Sequence, residues 1–251
     1  MAKSKIQWTE RTWNPVTGCS KVSEGCRNCY AEVMARRLQA MGQKKYSEGF
    51  RVTTHAEALL EPSIVIEPSM FFVCSMGDIF HERVHFWFIN DVMNHIQNNT
   101  RHTFQLLTKR PNRMSDYFRL STDVPENAWI GTTVECIDTK HRIDVLREIG
   151  IYNKRKGNVT RFLSCEPLLS DLGELDLAGI DWVIVGGESG PKARPMKKEW
   201  VLNIKRQCEE NGVPFFFKQW GTYGEDGVKR NKKANGCLLD GKEYKQMPKN
   251  Q

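Results

Sequence analysis

The sequence predicts an α/β fold: a partial (β/α) TIM-type barrel of about six or seven parallel strands, with a small C-terminal hairpin appendage. Three observations carry that expectation. First, six short apolar runs recur (FFVCSMGD, FQLLTKRP, AWIGTTVE, RFLSCEP, WVIVGGES and FFFKQWG), each closing on polar or charged residues. Their apolar parts are nearly continuous, as in strands buried on both faces of a parallel sheet. Second, the residues at the closing ends are Asp78, Lys109, Glu135, Glu166, Glu188 and Lys218, spaced 31, 26, 31, 22 and 30 positions apart. That is the length of a strand, a helix and two loops. Third, every closing end carries a candidate functional residue. Barrels gather their sites from many strand ends, whereas a doubly wound sheet concentrates its site at one switch point. No G-x-G-x-x-G follows the first strand, and GGESG (Gly186 to Gly190) is too short for that fingerprint.

The opening MAKSKIQWTERTWNP carries charge but no apolar segment, so no signal peptide is expected. The stretch after Cys29 predicts a helix with Val33, Met34, Leu38 and Met41 on one face and Gly42 as its stop. Phe88, Ile89, Val92, Met93 and Ile96 form an apolar stripe at helical spacing, between the second strand (FFVC) and the third (FQLLT). Ile143, Leu146 and Ile149 predict another helix, with Asp138 as a candidate cap. Trp200, Val201, Ile204 and Cys208 predict the next. The tail is polar and glycine-rich, and Asp240-Gly241 between two short runs reads as a hairpin. The expected division is a barrel domain over 1–221 and an appendage over 222–251.

The chain has 251 residues, is 39% hydrophobic and carries a net charge of +7. That favours an anionic partner such as nucleic acid, a nucleotide or a phosphorylated substrate. The local basic clusters are NKRKGN (Asn153 to Asn158) and KRNKK (Lys229 to Lys233), each equally readable as a solvated loop. No run approaches a membrane-spanning length, so no membrane association is expected. A cytoplasmic location is expected, and there eight cysteines point to metal, redox chemistry or burial rather than disulfides.

Three of those cysteines fall in TGCSKVSEGCRNCYAEV (Thr17 to Val33), spaced C-x6-C-x2-C. Structural zinc wants a fourth Cys or His. The nearest histidine after Cys29 is His55, which would have to reach back, so a Cys3His zinc site stays open as an alternative. Three unrelated buried thiols are another. Gly18 and Gly25 precede Cys19 and Cys26, which suits a loop turning tightly around an inorganic group. Iron–sulfur clusters are held by cysteine thiolates, usually four.

The cysteine loop resembles that of radical S-adenosylmethionine enzymes, although most of those use C-x3-C-x2-C with an aromatic residue before the third cysteine. Here the first gap is six, Asn28 precedes Cys29, and Tyr30 follows it. Seven motifs in order, QWTERTWNPVTGCSKVSEGCRNCYAE, SMGDIF, LLTKRP, WIGTTVE, FLSCEPLL, VIVGGESGPKARPM and FFFKQWG, resemble the phage-associated three-cysteine-motif proteins, a family of unknown function. LLTK alone is similar to spore photoproduct lyase, a radical enzyme that repairs DNA.

The resemblance implies that Cys19, Cys26 and Cys29 bind a 4Fe–4S cluster. It implies S-adenosylmethionine on the open iron, one-electron cleavage to a 5′-deoxyadenosyl radical, and a reductant of flavodoxin or ferredoxin type. A separately encoded partner protein is a further expectation. By position in such enzymes, Gly77 and Asp78 are candidates for the cofactor's amino group, and Thr132 and Glu135 for its ribose. Tyr30 and Glu188 join the cofactor set. Asp78 reads equally as a turn aspartate and Glu135 as an ion-pair residue. Lys109, Cys165 and Glu166 are catalytic candidates; Cys165 reads alternatively as core or as ligand of a second centre. Arg110, Lys192, Arg194 and Lys218 are substrate-binding candidates; a cation at Lys109 or Arg110 could instead meet the cofactor carboxylate, and Arg194 reads alternatively as half of a structural ion pair. Cys74 and Cys208 read as core, and Cys136 and Cys237 are unassigned. Trp8 and Trp13 either shield a cluster or simply pack. The expected function is radical chemistry on a nucleotide, a nucleic acid or a nucleic-acid-bound group. The rivals are a zinc-stabilised, non-catalytic nucleic-acid-binding protein and a redox-sensing cluster protein.

Overall fold

Each predicted apolar run forms a strand. The computed structural model describes residues 4–120, 123–151 and 159–248; the NKRKGN cluster lies outside them. The strands are β1 (Arg11–Trp13), β2 (Val16–Thr17), β3 (Thr53–Thr54), β4 (Met70–Val73), β5 (Thr103–Thr108), β6 (Ala128–Thr133), β7 (Arg161–Cys165), β8 (Trp182–Gly186) and β9 (Phe215–Gln219). The helices are α1 (Tyr30–Ala40), α2 (Phe86–Asn98), α3 (Pro111–Leu120), α4 (Arg142–Glu148), α5 (Lys198–Glu210) and α6 (Lys232–Asn235). Among the described residues, seven strands join one sheet in the order β1-β4-β5-β6-β7-β8-β9. The pairs β1/β4, β4/β5, β7/β8 and β8/β9 are parallel. The order follows the chain without reversal, which is the topology of a partial (β/α) barrel and not of a doubly wound sheet. β6 and β8 are buried at every position, which explains their unbroken apolar lettering.

Contacts divide the chain into two units. The first comprises Met1–Val22, Cys29–Gly131 and Glu148–Thr160. Its core stacks Phe71 on Phe104 at 5.4 Å and sets Trp13 edge-on to Phe104 at 5.6 Å. Trp13 Nε1 donates to Ala58 O at 2.8 Å and Trp8 leans on Phe72, so both tryptophans are core. α2 buries the five residues of its predicted stripe. α3 carried no apolar stripe in the sequence reading; it opens on Pro111, whose fixed φ suits a first helical turn, and buries Met114 and Tyr117.

α1 exists where expected, and Gly42 stops it with φ +71°. Its buried face differs from the predicted one. Ala31 and Ala35 pack against Met76, with Leu38, Tyr46 and Phe50 around them, while Val33 is 70% exposed and Met41 62%. Small side chains let the helix approach closely, and the larger apolar ones turn outward.

The second unit comprises Ser23–Asn28, Thr132–Arg147 and Arg161–Gln251. α4 buries Ile143 and Leu146 as predicted. Asp138 does not cap it, because that residue lies inside a separate 3₁₀ turn, Ile137–Thr139. α5 buries Val201, Ile204 and Cys208, and also Gln207, whose amide oxygen accepts from Leu175 N–H. The tail forms the expected hairpin turn. Asp240 and Gly241 both take left-handed φ, +50° and +72°, as a two-residue hairpin loop of this type requires. The chain then pairs with β9, Phe217 N–H donating to Tyr244 O at 2.8 Å. Among the described residues no helix is long and apolar enough to cross a membrane.

The α1 packing is testable. Ala35→Leu should destabilise the protein by about 1–3 kcal/mol through overpacking, whereas Val33→Ala should change stability by less than about 0.5 kcal/mol. Urea unfolding separates the two; a large loss from Val33→Ala would mean that the other face packs.

Candidate functional site

The cysteine run begins directly past β2 and ends at α1. Gly18 N–H donates to Met76 O at 2.9 Å, and Gly18 bridges to Gly77. A Cβ on Gly77 would lie 3.0 Å from Gly18 O and Val16 O, so Gly77 is required by backbone approach. Cys19, Cys26 and Cys29 are half-buried and outside any disulfide. Cys29 occupies the residue before α1, yet its thiol makes no cap hydrogen bond.

In the first unit, the strand ends of β4 and β5 meet this run. Asp78 accepts from Thr108 Oγ1 at 2.8 Å, Phe80 N–H at 3.0 Å and Arg110 Nη1 at 3.2 Å. The Asp78 and Arg110 side chains are 7% and 5% exposed. Lys109 presents its backbone N–H to the same carboxylate at 3.4 Å. Arg110 also grips Glu82 through Nε at 2.9 Å and donates to Ser20 O at 3.1 Å and Ser20 Oγ at 3.0 Å. Its Nη1 points at Cys19 Sγ, 3.4 Å away. His81 Nε2 lies 2.8 Å from Ser20 Oγ, and its Nδ1 accepts from Arg83 N–H. Burial, then the charge of Arg110, lowers the His81 pKa. Tyr30 OH donates to Ser75 O at 2.5 Å.

In the second unit, Glu135 is fully buried and pairs with Arg142 at 3.0 Å; Arg142 also donates to Thr133 O at 2.8 Å. Ser23 Oγ donates to the other Glu135 oxygen. Gly25 lies against this carboxylate, where a Cβ would stand 2.9 Å from Oε1. Thr132 is buried in β6. Glu188 accepts from Arg194 Nη2 at 2.7 Å, Arg194 N–H at 2.8 Å and Asn28 Nδ2 at 3.2 Å. Burial alone would raise the Glu188 pKa, but the hydrogen bonds from Arg194 and Asn28 outweigh it and hold the carboxyl below its ordinary range. Arg194 also reaches Glu24 O at 3.0 Å, and Asn28 reaches Lys192 O at 2.8 Å.

Three carboxylate–arginine pairs therefore touch the cysteine run, at Cys19 and Ser20, at Ser23, and at Glu24 and Asn28. Asp78, Glu135 and Glu188 are expected on the cofactor and Arg110 and Arg194 on substrate; in the structure Asp78 pairs with Arg110, Glu188 with Arg194, and Glu135 with Arg142. Lys218 and Glu166 pair at 2.7 Å. Cys165 is fully buried, and burial first, then the neighbouring Cys208 and Glu135, pushes its thiol far up. Burial likewise pushes Cys74 and Cys208 up to about 12. Arg142, Glu82, His81, Ser20, Ser23 and Asn28 were missed, and only Asn28, set between two cysteines, carried a positional signal.

Residues 3–248 of the chain match one family model, "Protein of unknown function (DUF5131)". The chain belongs to this family. No curated protein matches it. Two solved structures are similar to the chain at low identity. One is spore photoproduct lyase complexed with dinucleoside spore photoproduct, with 11% identity and TM-score 0.46. The other is a cysteine-to-serine mutant of spore photoproduct lyase, with 12% identity and TM-score 0.45. Each match covers 83% of this chain, and the chain spans 63% of the length of each structure.

Two predictions follow from the pairs. Arg110→Gln leaves Asp78 buried without its cation and should cost about 3–5 kcal/mol in urea unfolding; a loss below about 1 kcal/mol would show that water reaches Asp78. Glu188 has a depressed folded pKa, so the stability it lends is present above the unfolded value of about 4.3 and is lost as pH falls through the folded value. Stability measured from about pH 5 downward should therefore fall less steeply in Glu188→Gln than in the wild type.

Proposed function

We propose that this protein is a radical S-adenosylmethionine iron–sulfur enzyme acting on a nucleotide, a nucleic acid or a nucleic-acid-bound group, as its resemblance to the phage-associated three-cysteine-motif proteins implies. The observation that carries the reading is the place of the cysteine run. It lies between the first strand of a parallel sheet and the helix that follows, and Arg110, from the end of β5, reaches Cys19. Sites of such folds gather at the carboxyl ends of strands.

The donor set fits an iron–sulfur cluster in kind. Three half-buried cysteines outside any disulfide lie within eleven residues, and a guanidinium N–H faces one sulfur. Among the described residues no three His, Cys, Asp or Glu side chains stand together as a metal-holding group, so no metal geometry is assigned. Cys19, Cys26 and Cys29 would hold the cluster. When bound, the cluster and S-adenosylmethionine would supply a 5′-deoxyadenosyl radical by one-electron cleavage of a carbon–sulfur bond. Arg110 would direct an N–H at the Cys19 sulfur, orienting it. Glu135, through Ser23, and Glu188, through Asn28, fix the backbone on either side of Cys26. A small reductant protein and a cytoplasmic setting belong to the same reading, as does a separately encoded partner.

The zinc alternative needs a fourth ligand. His55, the candidate, has Nε2 bonded to Thr17 Oγ1 at 2.8 Å and Nδ1 3.5 Å from Glu57, so both ring nitrogens are engaged.

Anaerobic reconstitution should give brown protein with about four irons per chain. Dithionite and S-adenosylmethionine should then release 5′-deoxyadenosine. Ala at Cys19, Cys26 or Cys29 should abolish iron binding, and Cys208→Ala should retain it. Stoichiometric zinc with no iron would overturn the reading.

A further inference from the structure

Most cations expected to meet substrate are already neutralised within the protein. Arg110 faces Asp78 and Glu82, Arg194 faces Glu188 and Glu24, and Lys218 faces Glu166. Three lysines differ. Among the described residues, Lys192, Lys229 and Lys232 have no carboxylate partner.

Lys229 and Lys232 line a cavity of about 380 Å³ together with Arg230, Ser189, Gly190 and Thr222. No carboxylate lines it. Asp226 holds the Arg230 guanidinium from outside that lining, at 2.6 and 2.8 Å, which fixes the side chain and offsets its charge. The net lining charge therefore comes from the two lysines. The walls are tied together by hydrogen bonds. Thr222 N–H donates to Glu188 O, Arg230 N–H to Thr222 O and Gly190 N–H to Thr222 Oγ1, each at 2.9 Å. Asn235 Nδ2 ties Gly221 O and Thr222 O, also at 2.9 Å. Gly221 makes this crossing possible, since a Cβ there would lie 2.2 Å from Glu188 O. Lys229 Nζ donates to Pro191 O at 3.3 Å, a neutral acceptor that positions the ammonium without cancelling it. The KRNKK segment is thus folded onto the loop after β8 that carries Lys192 and Arg194.

We propose that this cavity is a phosphate site, and that its ligand is the phosphodiester backbone of a nucleic acid. Free phosphate sites converge backbone N–H groups on one anion, but here the Gly190 N–H is taken by Thr222. What remains are the ammonium groups of two exposed lysines, which suit backbone phosphates as point charges. The inference rests on the proposed function only in taking nucleic acid as the substrate class; the site needs no metal.

The test uses the full chain as purified and short fluorescently labelled DNA and RNA strands, with anisotropy read across a salt series. Lys229→Gln and Lys232→Gln should each lower the magnitude of the log–log salt slope by about 1, and the double variant by about 2. Lys205→Gln, in α5 and paired with Glu209, should leave the slope unchanged. A mononucleotide or inorganic phosphate should displace the strand no better than chloride at equal ionic strength. A double variant that binds like the wild type, or no binding by the wild type at low salt, would overturn the proposal. Displacement by mononucleotide through the same two lysines would also overturn it, in favour of a free-nucleotide site. Iron content and 5′-deoxyadenosine release, measured on the same preparations, report separately on the catalytic reading.

Discussion

A carboxylate taken out of water costs several kcal/mol unless a cation and hydrogen bonds meet it. Three sit in that situation at the strand ends of this protein: Asp78, Glu135 and Glu188, each facing an arginine at 2.7–3.2 Å. Removing one partner leaves the other charged and buried, so each pair is bound to its geometry. That requirement fixes the short segments around the pairs: Cys19 and Ser20 beside Arg110 in the first unit, and Ser23, Glu24 and Asn28 beside Glu135, Arg194 and Glu188 in the second.

The pairs act at different points of the run. Arg110, set by Asp78 and Glu82, holds the start through Cys19 and Ser20. Glu135, set by Arg142, holds Ser23, and Glu188 with Arg194 holds Glu24 and Asn28. A run with few apolar residues has little burial to order it, so charge-assisted hydrogen bonds do so instead. Glycine completes the arrangement at Gly77, where backbone meets backbone too closely for a side chain. The three cysteines stay half-buried and outside any disulfide.

Much of the fold was legible because buried parallel strands must be apolar on both faces. The six runs and their spacing could be read without a partner in view, and the α2 stripe matched residue for residue. α1 was found but its face was misjudged. Hydrophobicity favoured Val33, Met34 and Met41, whereas close approach to Met76 favours the small Ala31 and Ala35. Asp138 had the right chemistry for a cap, but an intervening 3₁₀ turn took it away from α4. Arg142 could not be found at all, since nothing near it in the chain marks the carboxylate it meets seven residues earlier, on the end of β6.

The sequence by itself determined the α/β class, the strand ends and the clustering of three thiols, because periodicity, burial and cysteine spacing are local properties of the chain. Which charges remain available to a ligand was decided only by the tertiary structure. A side chain's net field depends on its neighbours in space: Arg110, Arg194 and Lys218 meet carboxylates from other segments, while Lys229 meets only the Pro191 carbonyl. The same letter, read along the chain, is a free cation in one place and half of a buried pair in another.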